Sequence, residues 1–72
     1  MSKTNIYRQI ALNIRRIRKD RNITQESLAH EAGLNRAYIG YIERGERKPS
    51  VETLEKISKA LSVRIFELFI FD

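Results

Sequence analysis

The chain has 72 residues, room for one domain in which folding buries only about 60% of the unfolded surface, so the core must be thin. It has no cysteine, which excludes disulfides and cysteine-based metal sites. No apolar run approaches the ~18–20 residues of a membrane span, and the opening MSKTNIYRQ lacks the basic-then-apolar layout of a secretory signal, so a soluble cytoplasmic protein is expected. The net charge of +5 is one-sided: residues 1–48 hold eleven Lys or Arg against five acids, and residues 49–72 hold three against four. The basic stretch suits a polyanion, whether DNA, RNA or an anionic membrane surface.

The pattern predicts helices throughout, because no run of period-two alternation is present. A first helix spans about Thr4 to Asp20, with Ile6, Ile10, Ile14 and Ile17 on one apolar face. Arg15, Arg16, Arg18 and Lys19 crowd its last turns, where cations complement the helix dipole. Asn22 breaks the pattern. Thr24 caps a second helix through its hydroxyl, Glu26 suits the first turn, and Leu28, Ala29 and Ala32 face inward. Gly33 closes that helix where a left-handed residue is wanted.

Asn35 caps a third helix that reaches Glu43 or Arg44. Ile39 and Ile42 face the core with Tyr38 beside them, and Arg36, Ala37, Gly40 and Tyr41 take the other face. Gly45 ends it, and the basic loop Glu46-Arg47-Lys48-Pro49 follows. Ser50 caps a fourth helix whose core stripe is Val51, Leu54, Ile57 and Leu61. The tail from Arg64 to Asp72 reads as a short fifth helix with an irregular end.

Two short helices joined by a tight turn at Gly33-Leu34 form a helix-turn-helix, residues 24–44. Ala29 is small where the two helices cross. Leu34, Ile39 and Ile42 anchor the second helix against the first, and its exposed start is free to enter a groove. The residues Thr24-Gln25-Glu26-Ser27-Leu28-Ala29, then Gly33, Ile39, Ile42, Glu43 and Gly45, resemble the Cro- and lambda-repressor-type (XRE-like) helix-turn-helix family. The similarity runs from about Ile10 to Phe69 and includes Pro49-Ser50 and Ala60-Leu61-Ser62-Val63. It implies an all-α fold, a compact five-helix lambda-repressor-like domain over residues 1–72. It also implies a transcriptional regulator that binds double-stranded operator DNA as a homodimer. Leu34-Asn35-Arg36-Ala37-Tyr38-Ile39 with Ile42-Glu43-Arg44-Gly45 is similar to the controller proteins of restriction-modification systems. Two departures stand out. Ser62 sits where the family often has glycine, and Arg64 sits where it often has a capping Ser or Asp.

In this family the position of Gln25 donates to a DNA phosphate at the positive end of its helix. Arg36, at the first position of the third helix, is the leading candidate for a direct base contact, since a guanidinium matches guanine O6 and N7; a phosphate contact is the alternative. Ala37 is placed to touch a thymine methyl, and Tyr41, one turn on, to reach a base edge or a backbone oxygen. Tyr38 either contacts phosphate through its hydroxyl or packs. Arg44, Arg47 and Lys48, with some of Arg15, Arg16 and Lys19 from the first helix, are candidates to clamp the DNA backbone, the alternative being a solvated charged loop. The resemblance assigns Arg18 and Glu43 to an internal ion pair between the first helix and the end of the third.

The tail packs six large apolar residues into Ile65–Phe71, interrupted by Glu67, more than one helical face can bury. Ile65 and Leu68 are expected to complete the core. Phe66, Phe69 and Phe71 are expected at the interface of a twofold dimer reading a palindromic operator. Membrane insertion is the rival for such an end, but the segment is too short to span. The lone His30 is read as solvated, and no metal site, cofactor or small-molecule ligand is expected. No nucleophile–base set, phosphate-cradling loop or sequestered carboxylate pair points to an enzyme. The alternatives are an antitoxin-like protein-interaction module docking through the tail, and single-strand or RNA binding, which would call for a stacking platform of aromatics.

Overall fold

Capping side chains set where the helices of this chain begin. Asn5 Oδ1 accepts the backbone N–H groups of Tyr7 and Arg8 at 3.0 and 3.3 Å and opens α1 (Ile6–Asp20). Thr24 Oγ1 accepts from the Ser27 N–H at 3.0 Å and opens α2 (Gln25–Ala32). Asn35 Oδ1 accepts from Tyr38 at 2.9 Å and opens α3 (Arg36–Glu43). Ser50 Oγ accepts from Thr53 at 3.1 Å and opens α4 (Val51–Ala60). Each bond satisfies a donor that a helix start otherwise leaves orphaned.

A left-handed residue then turns the chain after every helix: Asn22, Gly33, Gly45 and Ser62, with φ of 58°, 72°, 76° and 61°. The next N–H folds back onto the helix in each case, Ile23 to Arg18 O, Leu34 to Ala29 O, Glu46 to Tyr41 O and Val63 to Ser58 O. This is the Schellman arrangement. At Ser62 a Cβ is forced into a conformation that costs about 1–2 kcal/mol for an L-residue.

The computed structural model describes residues 5–71. Among them no strand occurs, and α2 packs on α3 and α4 while α1 packs on α3 and the tail. The core is Ile10, Ile14, Ile17, Leu28, Ala29, Ile39, Ile42, Leu54, Ile57, Leu61 and Leu68. Each of the ten isoleucine and leucine side chains among them contributes roughly 1.5–3 kcal/mol by burial.

The fold differs from expectation in several places. The expected fifth helix is a 3₁₀ helix, Ile65–Phe69, so the described residues form four α-helices and one 3₁₀ helix. Five residues barely complete a turn, and Arg64 has no side-chain acceptor to cap one. Instead the Arg64 N–H donates to Glu67 Oε2 at 3.0 Å, and fully buried Leu68 pins the segment. The first helix starts after Asn5; Thr4, its expected start, lies outside the described residues. Ile6 and Val51, both expected on core stripes, are 47% and 71% exposed. Each sits in the first turn of its helix, ahead of the first buried residue. Gly40, expected on the outer face of α3, is buried.

One core residue carries an amide. Asn13, on the apolar face of α1 and 8% exposed, donates from Nδ2 to the carbonyls of Leu68 and Ile70, both at 3.0 Å. Its Oδ1 accepts from Arg16 Nη2 at 3.0 Å. The tail is thus fastened to α1 by hydrogen bonds as well as by Leu68. Ile65 and Phe71 pack half-buried against the core, while Phe66, Phe69 and Ile70 are exposed. Phe71, expected at a dimer surface, is therefore committed in part to the monomer.

Asn13→Ala leaves two tail carbonyls unpaired and should lower unfolding stability by about 1–3 kcal/mol. Ser62→Gly removes the left-handed strain, offset by the greater backbone entropy of glycine, and should raise it by about 0.5–1 kcal/mol. Urea denaturation followed by far-UV circular dichroism measures both.

Candidate nucleic-acid interface

The packing of α3 decides which of its side chains can meet a ligand. Ala29 and Ala32 are small and buried on α2, so the two helices approach closely. Ile39 and Ile42, 0% and 1% exposed, fasten the inner face of α3, and Leu34 packs half-buried at the turn. What remains outside is Arg36, Ala37 and Tyr41, a face on a helix that cannot roll without withdrawing two isoleucines from the core. Tyr38 lies at the border, half-buried against the core. It shares a shallow cleft with Asn35, Ala37, Tyr41 and Arg47.

An ion pair locks the far end of this helix. Arg18 Nε and Nη2 donate to Glu43 Oε2 and Oε1 at 2.7 and 3.0 Å, the two-pronged geometry that suits guanidinium and carboxylate. Arg18 Nη1 donates to the Ile23 carbonyl at 2.8 Å, and Gln25 Nε2 donates to Glu43 Oε1 at 3.1 Å. Both charged side chains are buried. Three segments meet here: the end of α1, the start of α2 and the end of α3. Gln25 is half-buried and spends one amide proton on Glu43, which leaves the other for an outside acceptor.

Beyond Glu43 the charge is exposed and positive. The guanidinium carbons of Arg44 and Arg47 each lie 5.1 Å from the centroid of the Tyr41 ring. Arg44 Nε is 3.2 Å from Glu46 Oε2. Lys48 Nζ lies 5.6 Å from the centroid of Tyr7, tying the loop to the start of α1. Arg36 at one end of α3 and Arg44, Arg47 and Lys48 at the other therefore frame its exposed face with cations.

Arg16 does not join this frame. It bonds to Asn13 and lines a cleft with Gln9, Leu12, Ile70 and Phe71, so it belongs to the tail side of α1. Neighbouring helix positions are about 100° apart, and Arg15 lines a different cleft, with Arg8, Leu12, Glu43 and Arg44. Two residues escaped the reading of the sequence. Asn13 was legible, since it lies at helical spacing with Ile10, Ile14 and Ile17. Glu46, the counter-charge to Arg44, carries no such signal.

Residues 14–68 match the family described as Helix-turn-helix. The chain belongs to the XRE-like helix-turn-helix family. It is 46% identical over 68 residues to the control protein C.BamHI of Bacillus amyloliquefaciens, covering 93% of this chain and 84% of that one. The restriction-modification controller protein C.AhdI from Aeromonas hydrophila superposes with a TM-score of 0.85 at 35% identity, over 88% of this chain and 96% of the other. The controller protein C.Esp1396I, solved as a tetramer in complex with its natural 35-base-pair operator, superposes with a TM-score of 0.85 at 34% identity, over 93% and 92%. In this helix-turn-helix protein, α2 and α3 are the two helices of the motif.

Removing one member of the buried pair strands the other. Arg18→Ala should destabilise the fold by about 3–5 kcal/mol, whereas the double replacement Arg18→Met with Glu43→Leu should cost much less. Thermal unfolding of the two variants and the parent checks this; equal losses would argue against a buried-charge penalty.

Proposed function

We propose that this protein is a transcriptional regulator that binds double-stranded operator DNA in a sequence-specific manner, with α3 in the major groove. The observation that carries the reading is the exposed Arg36-Ala37 face of α3, held by Ile39 and Ile42 and framed by Arg44, Arg47 and Lys48. A helix presenting a guanidinium and a methyl at its start, with phosphate-seeking cations behind it, supplies the parts of direct readout and backbone positioning. In this reading Arg36 addresses a guanine edge, Ala37 a thymine methyl, and Gln25 and the Tyr38 hydroxyl address phosphates. The similarity to C.BamHI, C.AhdI and C.Esp1396I supports a restriction-modification controller as the subtype, acting in the cytoplasm without catalysis.

The whole chain acts as one domain in this proposal, and residues 64–72 carry the surface for a second copy. Phe66 and Ile70 are 59% and 57% exposed, Phe69 is 37% exposed, and all three sit on a segment anchored by Leu68 and Asn13. Leu12, 54% exposed, lines the cleft beside Ile70 and extends the patch onto α1. A twofold dimer through this patch sets two copies of α3 about one DNA turn apart, ~34 Å, matched to a palindromic site.

Arg36→Ala should weaken operator binding by about 1–3 kcal/mol and relax base preference at one position per half-site. Arg47→Ala should weaken binding to all duplexes alike and reduce the salt slope by about one. Selection of bound sites from random DNA, followed by titrations at several salt concentrations, measures both. If Arg36→Ala keeps full affinity and the same site preference, Arg36 is not a base reader.

A further inference from the structure

Tyr41 is the most exposed aromatic of α3, and its surroundings are more elaborate than a base contact requires. Two guanidinium groups lie at the same 5.1 Å from its ring centroid. The backbone makes this possible. Gly45, at φ 76°, turns the chain so that the Glu46 N–H donates to the Tyr41 carbonyl at 2.8 Å. That bond brings the residues on either side of the turn back over Tyr41. Gly40 clears the way for one of them: a Cβ there would stand 3.1 Å from Arg44 Nη1. A glycine inside a helix is unfavourable relative to alanine, and here its missing side chain is the space along which Arg44 lies. Glu46 Oε2 holds the same guanidinium from the other side at 3.2 Å.

We propose that Tyr41 is a positioning residue whose ring, rather than its hydroxyl, holds Arg44 and Arg47 together as a paired clamp for the DNA backbone. This rests on the operator-binding reading above. An arginine on a free stem loses much rotamer freedom when it grips a phosphate, and an arginine already stacked on an aromatic face loses less. The ring attracts cations through its π face, which phenylalanine also has and leucine lacks. The hydroxyl is free to point at solvent without affecting either arginine.

The test uses the whole chain, a selected duplex and a random duplex, with circular dichroism to verify folding. Tyr41→Leu should lower affinity for both duplexes roughly tenfold, by loss of two cation–π contacts, and leave the selected site unchanged. Tyr41→Phe should rescue that loss. In an Arg44→Ala, Arg47→Ala background, Tyr41→Leu should have no further effect. The proposal is overturned if Tyr41→Phe binds as poorly as Tyr41→Leu, or if the base preference shifts at one position; both outcomes return Tyr41 to direct contact through its hydroxyl. A full Tyr41→Leu effect persisting without the two arginines overturns it too. Failure of the operator-binding reading is distinguishable, because the parent protein would then select no duplex at all.

Discussion

Glu43 is a carboxylate buried at the end of the recognition helix, and the arrangement of three helices follows from how its charge is answered. Arg18 reaches it from α1 with two hydrogen bonds and Gln25 reaches it from α2 with a third. A buried ion pair adds little net stability, because desolvation consumes most of the attraction. What it adds is intolerance of alternatives: any register in which α3 slides or rolls leaves a charge in the core without a partner. A core of eleven apolar residues is compatible with more than one packing of short helices, and this charge is not.

That lock explains why an eight-residue helix can hold one fixed orientation. Such a helix is too short to be stable in water by itself. Its shape is imposed by the Asn35 cap at one end, Ile39 and Ile42 along its length, and Glu43 with the Gly45 turn at the other. The side chains facing outward therefore inherit fixed positions. The cations behind them, Arg44, Arg47 and Lys48, lie over the rings of Tyr41 and Tyr7.

The opposite end of the molecule follows a different logic. The 3₁₀ segment has no α-helical capping of its own, and it owes its order to one leucine, one asparagine and one glutamate. Asn13 satisfies the carbonyl of buried Leu68, which would otherwise lack a donor, and that of exposed Ile70. Its Oδ1 also holds Arg16 beside the tail. The exposed Phe66, Phe69 and Ile70 are thus displayed on a segment that is itself held in place.

Local chemistry made much of this legible from residues alone. Asn35, Thr24 and Ser50 announce helix starts, Gly33 and Gly45 announce ends, and the isoleucines of α1 and α3 announce the buried faces, because caps and periodicity act within a few residues. The Arg18–Glu43 pairing came from resemblance, since a separation of 25 positions carries no local signal. Tertiary structure decided the rest. Periodicity names a face but not where the neighbouring element ends, so Ile6 and Val51 lie outside the core and Gly40 lies inside it. The hold on the tail was decided by Asn13, whose partners are carbonyls more than fifty positions away. The sequence by itself determined the four α-helices with their caps and turns; only the packing of distant segments determined the 3₁₀ form of the tail and which charges stand exposed around α3.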